Sequence, residues 1–315
     1  MIDAMDIDVL ISEVGPRDGL QSIKSIMPLA AKKEWISALA AAGVREIEVG
    51  SFVSSKLVPQ LADTAEVVEH ALTIPGLVVA VLVPNSKGAV AAVEAGAHKL
   101  TIPFSASDTH LMKNVRRTPW QMHEETAAIA ALSRGLPPGR RPRFEGAIST
   151  AFGCTYEGTV PADKVVRLAV SLMEAGCDEV GLSDSTGYAN PTQVKDLVSR
   201  VRAAVGEEAF AGLHLHNTRG LGLANVIAGL EVGVRTFDSS LGGLGGCPFA
   251  PGATGNIVTE DLVFMLDAMG LRTGIDVRAL LAVRDILAAA LPSEELYGFT
   301  PAAGLPLGYR ATAVT

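Results

Sequence analysis

The chain has 315 residues, which is long for one domain, but α/β barrels often exceed about 250 residues as a single unit. Its net charge of −8 argues against a nucleic-acid partner, and no apolar run reaches the roughly 18 to 20 residues that span a membrane. The first eleven residues lack the basic region of a secretory signal or transit peptide, so we expect a cytoplasmic protein without membrane association.

Short β-branched runs alternate with Ala- and Leu-rich amphipathic stretches, which is typical of successive βα units around a parallel sheet. Eight strands are predicted, at residues 9–14, 46–50, 77–83, 99–103, 144–149, 179–183, 211–216 and 236–239. Helices are predicted between them, at residues 30–42, 62–71, 86–95, 162–175, 191–205, 221–232 and 257–269. Several helices run into a glycine that would form a left-handed C-cap, namely Gly43, Gly96, Gly176 and Gly233.

Eight such units predict a (β/α)₈ TIM barrel over about residues 8–270, within one catalytic domain that covers the whole chain, 1–315. The extension 271–315 is predicted to hold a helix at 277–290 and a loose tail rich in Pro and Gly. The alternative is a doubly wound open sheet, which needs an edge strand that the pattern does not supply. In a barrel, the chemistry is expected at the carboxyl ends of the strands.

A His-x-His pair, His214 and His216, ends the seventh predicted strand. Alternate strand residues face the same side, so both imidazoles could bind one metal ion. Packed core histidines are the alternative, but the position at the catalytic end of a barrel strand favours the metal site. Asp18 and Asn256 follow other strands and could supply oxygen ligands, or could serve as a turn residue and a helix N-cap. This set suits Mg²⁺ or Mn²⁺, with Zn²⁺ or Co²⁺ as possible substitutes.

Charged residues beside these ligands could carry out catalysis. Arg17 would place a permanent cation next to the metal to stabilise an enolate, or it could be a surface arginine. Glu48 takes an inward position on a strand, where an unpaired carboxylate is costly and Arg17 would be a suitable partner. Asp184 ends the sixth strand, where proton transfer and an Asx-turn are equally compatible with the motif.

Residues 242–252 contain four glycines within five positions, followed by Cys247 and Pro248. Such a segment predicts a mobile loop over the end of the eighth strand, on which Cys247 could exchange a proton with a substrate carbon. The other two cysteines, Cys154 and Cys177, are expected to be packing residues.

Together these motifs resemble the 3-hydroxy-3-methylglutaryl-CoA lyase family, a group of TIM-barrel metallolyases. The resemblance spans about 250 residues and rests on the motifs at 13–21, 48–54, 184–187, 214–216 and 242–256. It implies a divalent metal bound by Asp18, His214, His216 and Asn256 and a retro-Claisen cleavage of an acyl-CoA to acetyl-CoA and acetoacetate. Leucine degradation would be the setting, and a homodimer the assembly.

The resemblance also implies individual roles. Arg17 would stabilise the enolate of the departing acetyl-CoA and Glu48 would orient Arg17. Asp184 and His214 would manage the proton of the tertiary hydroxyl, and Cys247 would help to protonate the acetyl carbanion. Gln21 and Arg219 are expected at the substrate, and the CoA phosphates are expected to be bound by the cations Lys56, Lys113, Arg116 and Arg117.

After the two histidines, the family pattern of Asp, Thr, Tyr, Gly and Gln is replaced by Asn217-Thr218-Arg219-Gly220-Leu221. This departure leaves citramalyl-CoA or a related 3-hydroxyacyl-CoA open as the substrate. A Claisen-condensing synthase is a second alternative, but such enzymes carry a regulatory domain, whereas only 59 residues (315 − 256) follow Asn256. A non-enzymatic binding scaffold is the third.

Overall fold

A computed structural model describes residues 7–245 and 255–309, and in it eight parallel strands close into a barrel in chain order. Each predicted strand is present, and its ends lie within two residues of the predicted ones. The strands are β1 (Leu10–Glu13), β2 (Glu46–Ser51), β3 (Val78–Leu82), β4 (Lys99–Ser105), β5 (Arg143–Ser149), β6 (Glu179–Asp184), β7 (Phe210–Leu215) and β8 (Thr236–Ser239). The TIM-barrel prediction is therefore confirmed.

Helices surround the barrel, and every predicted helix is present with ends within two residues of the prediction. The helices are α1 (Leu20–Ser22), α2 (Leu29–Ala41), α3 (Thr64–Ala71), α4 (Ser86–Ala95), α5 (Asp108–Val115), α6 (Pro119–Arg134), α7 (Ala162–Ala175), α8 (Pro191–Val205), α9 (Gly222–Glu231), α10 (Thr259–Ala268), α11 (Val277–Ala290) and α12 (Phe299–Ala303). No helix among the described residues is long and apolar enough to cross a membrane.

Two helices between β4 and β5 were absent from the sequence-based prediction. The buried face of α6 uses Thr126, Ala130 and Ser133 beside Met122 and Ile129, so its apolar stripe is weak. Its start is instead fixed by a capping box, in which Thr118 accepts a hydrogen bond from the backbone N–H of Gln121 and the Gln121 side chain accepts one from Thr118 N–H. The sequence signal for α6 is therefore its capping box, because its apolar face is too weak to predict a helix.

The prediction of a loose tail after α11 was wrong for the part of the tail that is described. The backbone N–H groups of Phe299 and Thr300 donate to the carboxylate of Asp261, at 2.9 and 2.6 Å. Tyr297 N–H donates to the carbonyl of Gly242 at 2.8 Å. Hydrogen bonds therefore dock the C-terminal segment on the barrel end near α10, a long-range pairing that its Pro and Gly content does not reveal.

Tight αβ turns and an apolar layer hold the helices against the strands. The glycines that follow four of the helices all have positive φ, as predicted: Gly43 (103°), Gly96 (88°), Gly176 (107°) and Gly233 (85°). The layer between strands and helices contains fully buried aliphatic and aromatic side chains, such as Ile47, Val79, Leu100 and Phe237. Cys154 and Cys177 are buried as expected, and burial raises the pKa of the Cys177 thiol to about 12.

The interior of the barrel, by contrast, is polar at its amino-terminal end. Lys99 lies 2.8 Å from Glu145, 3.2 Å from Glu179 and 3.6 Å from Glu46, measured from Nζ to carboxylate oxygens. Burial alone would lower the pKa of Lys99, but these three carboxylates hold it well above its usual range. This ion cluster therefore lies inside the barrel at the amino-terminal ends of the strands.

Candidate active site

Asp18, His214 and His216 converge at the carboxyl end of the barrel, and their ligand atoms all lie within 4.8 Å of one another. The two Nε2 atoms are 3.0 Å apart, and the Oδ2 atom of Asp18 is 4.0 Å from Nε2 of His214. Two imidazole nitrogens and a carboxylate oxygen facing one point can hold a single divalent cation.

Local backbone geometry places Asp18. β1 ends at Glu13, and the chain then makes one π-helical turn, Gly15–Gly19, in which Asp18 N–H donates to the carbonyl of Val14 at 2.7 Å. The buried carboxylate of Glu13 accepts from Gly15 N–H at 2.9 Å and so anchors the start of this turn. A π-turn at this point fits the tendency of such turns to occur at functional sites.

Asn256 completes the group. Its Nδ2 donates to Oδ2 of Asp18 at 2.8 Å and to the carbonyl of Leu244 at 3.1 Å, which fixes the orientation of the amide. Its Oδ1 is buried and has no hydrogen-bond partner among the described residues. A buried acceptor without a donor is costly, and a cation beside Asp18 would satisfy it. The residues present therefore fit a metal ion with nitrogen and oxygen ligands.

Opposite charges set the protonation of these ligands. Burial alone would raise the pKa of Asp18, but Arg17 and the two histidines lower it overall. Burial would lower the pKa of His214, but the hydrogen bond to Asp238 and the charge of Asp18 raise it overall. In the absence of a cation, the cluster thus favours an ionised carboxylate beside a readily protonated imidazole.

Asp238 is a further residue of the site that was not predicted from the sequence. Its Oδ2 accepts a hydrogen bond from Nδ1 of His214 at 3.0 Å, which leaves the Nε2 lone pair of His214 directed at the cluster. The available signal was the position of Asp238 inside a predicted strand, and the structure shows that this position pairs with His214 of β7. An inward carboxylate on a barrel strand needs a partner, and the neighbouring histidine provides it.

Arg17 and Glu48 form the expected ion pair. Nε of Arg17 donates to Oε2 of Glu48 at 2.5 Å, and Nη1 donates to Oδ1 of Asp18 at 2.6 Å. Burial raises the pKa of Glu48, and the charge of Arg17 opposes the rise. The guanidinium is therefore held beside the cluster by two carboxylates, in a position to stabilise negative charge on a ligand.

Asp184 lies at the end of β6 and is buried. Its two oxygens accept from the backbone N–H groups of Tyr188 and Ala189, at 2.8 and 3.1 Å, which is the turn role that the motif left open. Burial, opposed by these hydrogen bonds and by the charges of His214 and Arg219, raises the pKa of Asp184 to about 6. A carboxyl group with this pKa can exchange a proton near neutral pH, but Asp184 is not among the described residues that line the central cavity.

Arg219 binds the same turn. Its Nη1 donates to the carbonyls of Thr186 and Gly187, at 3.1 and 3.0 Å, and its guanidinium lies 4.6 Å from the ring centroid of Tyr188. Neither Arg219 nor Leu221 is among the described residues that line the central cavity. Arg219, one of the three residues that depart from the family pattern, therefore supports the turn that holds Asp184.

A cavity of about 500 Å³ opens beside the cluster and continues down the barrel axis to Lys99. This volume is sufficient for a small organic ligand. Gln21 lines it, and Oε1 of Gln21 is buried without a hydrogen-bond partner among the described residues. Lys113, Arg116 and Arg117 line it as well, whereas Lys56 is exposed on the loop after β2 and is not one of the described lining residues. Cys247 lies outside the described residues.

Comparisons with known proteins agree with one another. The family model described as HMGL-like matches residues 8–287. The mitochondrial hydroxymethylglutaryl-CoA lyase of Rattus norvegicus is 42% identical over 283 residues, which cover 90% of this chain and 86% of that protein.

Two solved structures are also similar to the chain. An HMG-CoA lyase from Acinetobacter baumannii, in complex with coenzyme A and 3-methylmalate, has a TM-score of 0.90 and 41% identity over 98% of this chain and 99% of that one. The Bacillus subtilis HMG-CoA lyase has a TM-score of 0.88 and 35% identity over 94% of this chain and 97% of that one.

Proposed function

The chain belongs to the HMGL-like family, and on that premise we propose that it cleaves 3-hydroxy-3-methylglutaryl-CoA to acetyl-CoA and acetoacetate with a divalent metal ion. It is a carbon–carbon lyase. The observation that carries the proposal is the convergence of Asp18, His214 and His216 beside the Arg17–Glu48 pair at the mouth of the cavity.

The reaction is a retro-Claisen cleavage. The tertiary hydroxyl loses its proton, its oxygen forms the carbonyl of acetoacetate, and the bond between C2 and C3 breaks. The electron pair of that bond passes into the thioester as an enolate, which then takes up one proton on carbon to give acetyl-CoA. One proton leaves and one returns, so no oxidant or reductant is needed.

We propose Asp18, His214, His216 and Asn256 as the ligands and Mg²⁺ or Mn²⁺ as the ion. When bound, the ion supplies Lewis acidity that favours loss of the hydroxyl proton. The unpartnered Oδ1 of Asn256 and the Nε2 atoms of the histidines support this choice of ligands.

The chain's own residues handle charge and protons. Arg17, oriented by Glu48, would stabilise the thioester enolate, because its guanidinium is fixed before charge develops. Asp184 would receive the hydroxyl proton, and its pKa of about 6 suits that transfer near neutral pH. His214 would assist the transfer as a ligand of the ion, since its Nδ1–H donates to Asp238 and its Nε2 faces the cluster. Cys247 is proposed to return a proton to the acetyl carbon.

The cavity mouth supports an acyl-CoA ligand. Lys113 and Arg116 lie where they could meet phosphate groups, and Lys56 is a further candidate from the loop after β2. Gln21 is proposed to contact the acyl group from the cavity wall. Arg219 is proposed to affect the acyl group only indirectly, through the turn of Asp184 to which it donates. We also propose that the protein works as a cytoplasmic homodimer in leucine degradation.

The test is a metal-dependent turnover assay. Purified protein freed of metal by chelation should form acetyl-CoA from 3-hydroxy-3-methylglutaryl-CoA only after Mg²⁺ or Mn²⁺ is added. His216→Ala should lose metal binding and turnover, and Arg17→Gln should keep the metal but lose roughly 10²-fold or more in kcat. His70→Ala, which changes a histidine on the outer helix α3, is the matched control.

If the protein forms acetyl-CoA from citramalyl-CoA but not from 3-hydroxy-3-methylglutaryl-CoA, citramalyl-CoA is the substrate. Condensing activity without cleavage would assign the synthase. A protein that binds neither metal nor acyl-CoA in calorimetry would refute the enzyme altogether.

A further inference from the structure

Gly242 lies just after β8, and both its backbone N–H and its backbone carbonyl form hydrogen bonds with other segments. Its N–H donates to both carboxylate oxygens of Glu260, at 3.0 and 3.2 Å, and its carbonyl accepts from Tyr297 N–H at 2.8 Å. Gly242 has a φ of 66°, and a Cβ atom there would lie 3.0 Å from the side chain of Leu296. A residue type chosen for backbone freedom is thus fixed in one conformation by two other segments.

The C-terminal extension supplies the Tyr297 restraint and supports the other one, because its Arg284 pairs with Glu260 of α10. Glu260 is completely buried, and its charge is balanced by an ion pair with Arg284 of α11. The same guanidinium donates to the carbonyl of Tyr297 at 2.9 Å and to that of Leu296 at 3.3 Å. Arg284 therefore connects Glu260 with the segment of Leu296 and Tyr297, whose Tyr297 N–H donates to the carbonyl of Gly242. Removing one partner of a buried ion pair leaves the other uncompensated, so the arrangement depends on Arg284.

The restraint on Gly242 is close to the proposed metal ligands, because Leu244, two residues later, contacts Asn256. The carbonyl of Leu244 accepts one of the two Nδ2 hydrogen bonds of Asn256, and Oδ2 of Asp18 accepts the other. With both acceptors in place, the amide is fixed so that Oδ1 would be available to a bound cation. The carbonyl of Leu244 is in place only if the chain leaves Gly242 in the correct direction.

We propose that Arg284 and Glu260 are positioning residues for the active site, which act through Gly242 and Leu244 to orient the amide of Asn256. The inference rests on the proposed metal site and gives the C-terminal extension a role in it. Neither residue lines the cavity or belongs to the ligand cluster, so their effect on metal binding is indirect.

The experiment compares Arg284→Met with Arg278→Met, which removes an exposed arginine from the same helix. Mn²⁺ affinity is measured by titration calorimetry, Tm by calorimetric unfolding, and kcat and KM by acetyl-CoA release. Arg284→Met should weaken Mn²⁺ binding about tenfold or more and lower kcat, with KM for the acyl-CoA within about twofold of wild type. Arg278→Met should bind Mn²⁺ as the wild type does.

Arg284→Lys is the second variant, because it retains a cation for Glu260 but cannot reach both carbonyls. It should show an intermediate loss of Mn²⁺ affinity, and it decides the question if Arg284→Met does not fold. A lower Tm with wild-type Mn²⁺ affinity would show a merely structural residue and overturn the inference.

The design separates this inference from the proposed function. If the wild type binds Mn²⁺ but forms no acetyl-CoA, the proposed function fails, while the affinities of the variants still test the positioning role. A wild type that binds no Mn²⁺ would overturn the inference as well.

Discussion

Replacing Glu13 by Gln should make the protein less sensitive to alkaline pH without damaging it at neutral pH. The carboxylate of Glu13 is completely buried, and its Oε1 accepts from the backbone N–H groups of Gly15 and Leu241, both at 2.9 Å. Its Oε2 accepts from the hydroxyl of Thr259 at 2.6 Å. A glutamine of the same shape keeps the first two bonds through its carbonyl, and its amide can donate to the Thr259 oxygen.

The magnitude follows from the pKa of Glu13, which burial raises from 4.5 to about 8 against the opposing effect of its hydrogen bonds. The folded protein therefore holds a proton that the unfolded chain releases, and stability falls as pH rises from about 4.5 through about 8. At about 1.4 kcal/mol per pH unit, the complete loss is on the order of 5 kcal/mol. About 3 kcal/mol of it falls between pH 6 and pH 9.

The assay is urea unfolding of wild type and Glu13→Gln at pH 6 and at pH 9. From pH 6 to pH 9, the free energy of unfolding of the wild type should fall by about 3 kcal/mol more than that of Glu13→Gln. Glu34→Gln on the exposed side of α2 removes the same formal charge and should follow the wild type. If Glu13→Gln also runs parallel to the wild type, within about 0.5 kcal/mol, the reasoning about Glu13 is refuted.

Two further predictions concern the barrel interior. Asp238→Asn should weaken Mn²⁺ binding about tenfold, because the proton on Nδ1 of His214 loses its carboxylate acceptor; an affinity within twofold of wild type would contradict this. Lys99→Met should destabilise the fold by about 3 to 5 kcal/mol, because Glu145 and its neighbours lose their buried cation. The control is Lys195→Met, which removes an exposed ion pair and should lower the free energy of unfolding by less than about 1 kcal/mol. If both variants lose the same free energy in chemical unfolding, the burial of Lys99 is unimportant.

Much of the fold and part of the site could be predicted from the sequence because they depend on local pattern. Strand and helix periodicity, with glycines such as Gly96 and Gly176 at helix ends, predicted the eight units of the barrel. The two-residue repeat of a strand was sufficient to place His214 and His216 on one side. Helix α6 was missed because small and polar side chains form its buried face.

The remaining features depend on residues that are far apart in the chain. Asp238 has a role only because β8 lies beside β7, and Arg284 meets Glu260 only because α11 folds back on the barrel. Residues 291–304 look like a loose tail in the sequence, yet their backbone restrains Gly242. The sequence alone determined the eight strands, most of the long helices and the chemical type of the site, since each follows from short-range spacing. Only tertiary structure decided which buried charges are paired and which segments hold the ligands, because desolvation and hydrogen bonding are set by neighbours that the linear order does not specify.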